Sequence, residues 1–300
     1  MSTDNNDVCA NCGKGEEESV SLKKCGACKM VKYCSAACQK AHRPQHKKEC
    51  RKRAAELHDE ALFKKPPPQR EECPICFLLL PSLETGYRYQ TCCGTVICSG
   101  CIHAGALVGD DQLCPFCRSP APTSGEVAMG RVKKRVEIDD AEAVYNLGCY
   151  YDEGMYGLPQ DRDRALELWH QAGELGHSES YCNIGSVYFN GGSVERNEKK
   201  ADYYYELAAM GGVVEARYNL GNAEIRAGNM DRALKHYMIA VGSGDDDSLR
   251  NIKQLYLDGH VAKDDYAKAL RAYQAYLDEI RSDQRDQAAA FREDFKYYEL

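Results

Sequence analysis

The chain has 300 residues, 28% of them charged, a formal net charge of −7 at pH 7 and 17 cysteines. That length has room for about two domains, and the acidic balance argues against wholesale nucleic-acid binding. The longest apolar run, residues 77–80 before Pro81, is far short of a membrane span, and the first thirty residues hold no signal-peptide core; a reduced, intracellular protein of cytoplasm or nucleus with no membrane partner is therefore expected.

Fifteen of the 17 cysteines lie before residue 118. They fall in pairs close enough for one short knuckle to hand two thiolates to a single ion: Cys9/Cys12, Cys25/Cys28, Cys34/Cys38 and His46/Cys50, then Cys73/Cys76, Cys92/Cys93, Cys98/Cys101 and Cys114/Cys117. A disulfide framework belongs in an oxidising compartment and a small secreted chain. Two blocks of eight ligands instead lead us to expect four zinc ions. Residues 23–53 carry eleven Lys and Arg against one acid, Glu49. Zinc held by thiolates leaves a negative centre, so the simplest role of these cations is to offset it, in preference to binding nucleic acid.

In the first block, Cys34 and Cys38 lie one helical turn apart on one face, as do His46 and Cys50. Spacing alone does not say which pairs share a metal. The run Cys9-x-x-Cys12, Cys25-x-x-Cys28, Tyr33-Cys34-Ser35-x-x-Cys38-Gln39, His46-Lys47-x-x-Cys50 resembles a MYND-type zinc finger over residues 9–50. The resemblance implies one zinc on Cys9, Cys12, Cys34 and Cys38, a second on Cys25, Cys28, His46 and Cys50, and a protein-interaction role. His42 is surplus to a four-coordinate site. Arg43 departs from the aromatic residue often found three before the histidine, so a peptide-binding surface resting on that aromatic is not implied. We assign residues 1–53 to this finger and 54–70 to a helix and proline-rich linker. Residues 51–63 read as a short helix continuing the finger, which the run Lys64-Lys65-Pro66-Pro67-Pro68 ends.

The second block, residues 71–119, resembles a RING finger through Cys73-Pro-Ile-Cys76, Cys98-Ser-Gly-Cys101 and Cys114-Pro-Phe-Cys117-Arg118. The usual histidine position is Thr95, and Cys92-Cys93-Gly94 suggests an all-cysteine variant in which Gly94 permits a sharp turn. The alternative drops one of the two cysteines and recruits His103. By the resemblance, Ile75 and Pro115 line an apolar groove that docks a ubiquitin-conjugating enzyme, with Leu107 standing in for the groove tryptophan, since residues 102–113 contain no aromatic. Arg118 takes the place of the residue that orients ubiquitin, and no covalent catalysis on this chain is implied.

Pro120, Pro122 and Gly125 suggest a linker over 120–139. From 140 the chain repeats itself with a period of 32–37 residues. Asn146-Leu147-Gly148, Asn183-Ile184-Gly185, Asn219-Leu220-Gly221 and a degenerate Asn251-Ile252-Lys253 open the units. Ala165, Ala201, Ala233 and Ala269 each precede by four residues an aromatic: Trp169, Tyr205, Tyr237 and Tyr273. Ala172, Ala208 and Ala240 recur, and Gly176, Gly212 and Gly244 close the units. Two helices with small and aromatic positions per unit describe an α-solenoid whose aromatics are core, and the pattern resembles Sel-one-like repeats, about four over 140–282. Cys149 and Cys182 read as small buried residues. A capping helix is expected over 283–300, with Phe291, Phe295 and Tyr298 at helical spacing. The repeats need no metal, so a 126–300 fragment is expected to stand apart from the fingers.

The expected fold is mainly α: a helical-repeat solenoid preceded by two small zinc-stabilised finger modules. No phosphate loop, dinucleotide fingerprint or serine elbow is present, which argues against small-molecule catalysis. Two classes remain. One is a RING-type ubiquitin ligase that recruits substrate through the MYND finger and repeats; the other is a non-enzymatic adaptor binding proteins through all three modules.

Overall fold

Short hairpins present two of the metal-ligand pairs of the first unit, residues 1–64, and a helix and its start present the other two; the second unit runs from 65 to 300. The computed structural model describes residues 8–16, 21–64, 71–109 and 112–298.

In the first unit, strand β1 (Lys23–Lys24) pairs antiparallel with β2 (Lys32–Tyr33), with Lys23 opposite Tyr33, and Cys25 and Cys28 sit in the connection. Helix α1 (Ala36–Phe63) begins at Ser35, whose hydroxyl accepts the Cys38 N–H at 3.2 Å. The helix expected over 51–63 is the second half of this single element, and Pro44 lies within its first third. The proline run 66–68 lies outside the described residues. The unit's buried apolar cluster is Cys9, Leu22, Cys25, Cys28 and Tyr33, and Leu62, outside that cluster, is buried near the end of α1. Three of the five in the cluster are metal-ligand candidates, so little core would remain without metal.

The second unit opens with a 3-10 turn (Glu84–Gly86) and an antiparallel hairpin of β3 (Tyr87–Gln90) and β4 (Thr95–Cys98), followed by helix α2 (Ser99–Leu107). The stretch 120–139, expected as a linker, contains helix α3 (Gly125–Val136), capped by Ser124. Its apolar residues Met129 and Val132 recur at helical spacing and are buried with Val144, Leu147 and Leu168, which is why the two prolines end before it and do not break it.

The solenoid follows as helix hairpins. Among the described residues these are α4 (Ala141–Glu153) with α5 (Arg162–Glu174), α6 (Ser178–Asn190) with α7 (Glu198–Met210), α8 (Val214–Arg226) with α9 (Met230–Val241), and α10 (Asp246–Leu257) with α11 (Lys263–Ile280). The small and aromatic positions of the repeat meet inside each hairpin. A Cβ built on Gly148 would lie 2.7 Å from the Trp169 indole nitrogen, one on Gly185 2.7 Å from the Tyr205 ring, and one on Gly221 2.3 Å from the Tyr237 ring. Trp169, Tyr205 and Tyr237 are buried as expected, whereas the fourth hairpin carries exposed Lys253 in place of the glycine and its Tyr273 is only half-buried. The closing glycines make identical turns: the residue after Gly176 donates to the Ala172 carbonyl at 2.9 Å, and the residue after Gly212 to the Ala208 carbonyl at 3.0 Å.

The tight hairpins allow a direct prediction. Gly221→Ala should destabilise the protein by about 1–3 kcal/mol through overpacking on Tyr237, although alanine is worth up to about 1 kcal/mol more than glycine in a helix. Gly130→Ala on α3, where nothing lies within 4 Å of the added carbon, should be neutral or stabilising. Urea unfolding midpoints of the two variants decide between packing and propensity.

The tail is not one capping helix. Helix α12 (Asp283–Phe291) stops because Arg292 is extended, and a second 3-10 turn (Glu293–Phe295) follows. Phe291 is exposed, while Phe295 and Tyr297 are buried, so the aromatics do not form one helical stripe. Helix α12 packs on α2 of the metal-binding module. The Tyr276 hydroxyl accepts the Ser82 N–H at 2.8 Å, Ser99 donates to the Phe295 carbonyl at 3.2 Å, and Thr85 donates to the Lys296 carbonyl at 2.6 Å. Tyr89 donates to Asp140 at 2.8 Å, at the start of the repeats. The second metal-binding module and the repeats therefore share one packed unit, contrary to the independence expected of a 126–300 fragment.

Candidate metal centres

One local device recurs at the knuckles. After Cys9-x-x-Cys12, Cys25-x-x-Cys28, Cys73-x-x-Cys76 and Cys114-x-x-Cys117, the next residue is left-handed: Gly13, Lys29, Phe77 and Arg118, with φ between 59° and 72°. Each donates its N–H to the carbonyl of the first cysteine, at 2.9, 3.0, 2.8 and 3.0 Å. The turn aims both thiols to one side, at a cost of roughly 1–2 kcal/mol wherever the residue is not glycine. At the β3–β4 tip, Gly94 (φ 71°) donates to the Gln90 carbonyl at 2.8 Å, and this turn brings adjacent Cys92 and Cys93 together.

Among the described residues four groups of ligand atoms result, each with all atoms within 4.8 Å of one another. They are Cys9, Cys12, Cys34 and Cys38; Cys25, Cys28, His46 and Cys50; Cys73, Cys76, Cys98 and Cys101; and Cys92, Cys93, Cys114 and Cys117. In each block the two groups interleave along the chain. Sulfur separations are 3.6 Å for Cys12–Cys34, 3.7 Å for Cys25–Cys50, 3.8 Å for Cys76–Cys98 and 3.4 Å for Cys92–Cys117. These are too long for disulfides and match the edge of about 3.8 Å of a tetrahedron with zinc–sulfur arms of about 2.3 Å. Each group can hold one zinc ion, which would supply the cross-link that these small modules lack.

The surroundings prepare several thiols for ionisation. Burial opposes it at Cys9 and Cys25, but backbone N–H groups, joined at Cys25 by the His46 side chain, outweigh burial and bring both down to about 6. The Ser119 side chain and backbone bring Cys117 down to about 6.

His103, the alternative ligand, joins neither group; its ring lies 4.8 Å from that of Phe291. His42 stacks on His46 at 5.6 Å and its Nδ1 lies 3.0 Å from the Tyr33 hydroxyl. Cys182 is buried, with its sulfur 4.0 Å from Asn219, whereas Cys149 is half-buried. Ile75 and Leu107 are exposed (38% and 67%), Arg118 is exposed, and Pro115 lies against α2 near Gly105. Phe77, Val108 and Phe116, not singled out in the sequence, are also exposed apolar residues of this module. Their adjacency to Cys76, Leu107 and Cys117 was the available signal.

Arg285 of α12 was also missed. It is fully buried, its Nη1 donates to the Ile280 carbonyl at 2.6 Å, and its Nε and Nη2 have no partner. It packs against Gly100 beside the third group, and its charge acts on Cys98. A buried guanidinium needs a counter-charge, and a four-thiolate centre is a negative one. Arg285→Met should then weaken zinc retention at that centre by about tenfold or more, read as faster transfer to a chromogenic chelator.

Residues 9–50 match the family model described as MYND finger, and residues 141–177 and 178–213 match Sel1 repeat. The chain is 43% identical over 51 residues to the SET domain and MYND-type zinc finger protein 6 of Schizosaccharomyces pombe, covering 17% of this chain and 11% of that protein. It is 28% identical over 144 residues to the chitin synthase regulator SKT5 of Malassezia restricta, covering 46% of this chain and 10% of that one. A solved Sel1 repeat protein from Oxalobacter formigenes is similar with a TM-score of 0.44 and 23% identity, over 56% of this chain and 65% of that one. The chain thus spans about a tenth of the length of these two curated relatives. Among the described residues no helix is long and apolar enough to cross a membrane. A MYND-type zinc finger joined to Sel1 repeats is a zinc-binding, protein-interaction architecture.

Proposed function

We propose that the chain is a RING-type ubiquitin ligase, in which residues 71–119 recruit a ubiquitin-conjugating enzyme while the MYND finger and the repeats recruit substrate. The observation that carries this reading is the interleaved pair of four-cysteine groups between Cys73 and Cys117, with Ile75, Leu107 and Arg118 left exposed at its margins. In this reading Ile75, Leu107 and Pro115 make the apolar contact. Arg118 orients the ubiquitin thioester through the several donors of its guanidinium. The domain limits are those of the sequence, with α3 added to the repeats and the tail added to the RING-like module.

The test is discharge of ubiquitin from charged conjugating enzymes, sampled across a panel. Arg118→Ala should reduce discharge at least about tenfold with zinc content unchanged, because orientation is lost and not structure. Arg118→Gly should reduce it equally while relieving the left-handed backbone, which separates orientation from folding. Ile75→Ala should weaken docking by the loss of buried apolar area. Absence of discharge by the wild-type protein across the panel would leave the second reading, a non-enzymatic adaptor. The lack of an aromatic in α2 favours that alternative.

A further inference from the structure

The first repeats and β3 line a cleft of about 650 Å³. Its walls come from the 3-10 turn with β3, which is remote in sequence, and from helices α4, α5 and α6. They carry five carboxylates, Glu84, Glu142, Asp152, Glu153 and Glu179, against one cation, Arg162, whose Nε already lies 3.6 Å from Asp152. Aromatic residues line the cleft between them, among them Tyr87, Tyr145 and Trp169.

The arrangement is braced. The His177 ring stacks on Tyr145 at 4.3 Å, and its Nε2 lies 3.1 Å from Glu142 and 3.4 Å from Glu179, so one imidazole fixes two acids and one ring. The bracing leaves the acids accessible, with 30% of the Glu142 side chain and 46% of that of Glu179 exposed. Recession in the cleft pushes the Glu179 carboxyl up to about 7; His177 pulls it down, and Glu142, Glu84 and Glu71 push it further up. The acids therefore repel one another, and Arg162, drawn to Asp152, is the one Lys or Arg among the described residues lining the cleft. A separate observation concerns Trp169. It is 4% exposed in the cleft wall, and its indole N–H has no hydrogen-bond acceptor, with only the weakly accepting Cys149 thiol beside it. That nitrogen is turned toward Gly148 within the α4–α5 hairpin, so Trp169 gives the cleft a fixed aromatic wall.

We propose that this cleft docks a basic peptide segment of a partner protein, taking an arginine side chain onto Glu84, Glu142 and Glu179 and against Tyr87 and Tyr145. Guanidinium suits such a wall better than ammonium, since it pairs with a carboxylate through two donors and stacks on aromatic rings. The volume exceeds one side chain, which leaves room for the backbone of a peptide. The proposal rests on the partner-holding role of the repeats and is independent of ubiquitin transfer. Glu142 and Glu179, like Glu215 and Asp247, stand four residues before the repeat asparagines, a periodic signal that the sequence offers.

The test is fluorescence anisotropy with the full-length, zinc-loaded protein and short labelled peptides of glycine alternating with arginine, lysine or glutamate. The arginine peptide should bind saturably, the lysine peptide more weakly and the glutamate peptide not at all. Glu84→Gln with Glu179→Gln should weaken binding about tenfold, which is about 1.4 kcal/mol. Tyr145→Leu should weaken it several-fold. Glu84→Gln alone, at an exposed turn position, covers the case in which a multiple variant fails to fold. Asp278→Asn with Glu279→Gln removes the same charge from exposed α11 positions and should leave binding within about twofold. Equal loss in that control, or no binding of the arginine peptide, would overturn the proposal. Self-association that the cleft variants abolish, without peptide binding by dilute protein, would overturn it in favour of a second copy as occupant.

Discussion

Chelating the metal from the intact protein should abolish ordered structure over residues 8–16 and 21–64, and elemental analysis before chelation should return four zinc ions per chain. The size of the effect follows from what the first unit lacks. Its buried apolar residues are Leu22, Tyr33, three cysteines and Leu62 near the end of α1, so the transfer of apolar surface contributes little. Its knuckle at Cys25 holds Lys29 in a left-handed conformation, and each ligand group brings four polar side chains within 4.8 Å of one another. Without a cation, ionised thiols at that separation repel. A structural zinc supplies on the order of 10 kcal/mol per site at neutral pH, more than such a module has from any other source. Helix α1 should melt with it, because among its described residues only His46 and Leu62 are buried, and a solvated helix of this composition is marginal alone. Loss of far-UV helical signal from a 1–64 peptide on chelation, recovered on zinc addition, is the expected result. A stoichiometry near two would mean that one block of cysteines is not a metal site.

The sequence revealed these centres and the repeats for the same reason: both are written in local spacing. Two thiols three positions apart need only one turn to meet, and a glycine in one helix facing an aromatic in the next recurs within a fixed period. What escaped was non-local or hidden by a local signal. Helix α3 was obscured by Pro120 and Pro122, although Met129 and Val132 carry the apolar spacing that buries it. The tail misled because Phe291, Phe295 and Tyr298 suit a helix, whereas the backbone leaves the helix at Arg292 and buries Phe295 and Tyr297 instead. Ser82 and Tyr276 are 194 residues apart, and nothing near either one announces the other. The cleft escaped for a similar reason: Glu84 lies in the metal-binding module and Glu142 and Glu179 in successive repeats, and each alone reads as an ordinary surface acid.

Zinc removal should also release helix α12, far along the chain from any metal ligand. Hydrogen exchange in the full-length protein should show amides of Asp283–Phe291 well protected when zinc is bound and about a hundredfold less protected after chelation, while those of α6 to α9 stay protected. Helix α12 is held mainly from one side: its buried residues are Arg285 and Ala288, and α2 is the element against which it packs most closely. Helix α2 in turn is capped by Cys98, whose sulfur accepts the Cys101 N–H at 3.4 Å, so two of the four ligands of the third group lie at its start. Losing the metal frees that turn and removes the negative centre beside the buried Arg285 guanidinium, leaving a charge whose Nε and Nη2 have no partner. Uncompensated burial of a charge costs several kcal/mol, enough to open a nine-residue helix locally without unfolding the repeats. Helices α6 to α9 are spared because they pack on one another and not on the metal-binding module, within each hairpin through Gly185 on Tyr205 and Gly221 on Tyr237. Arg285→Met should narrow the difference between the zinc-loaded and chelated states, since the variant has no charge to strand. Equal protection of α12 with and without zinc would show that the tail is held by Tyr276, Ile280 and Tyr297 alone and that the metal centre and the C-terminal segment are energetically separate.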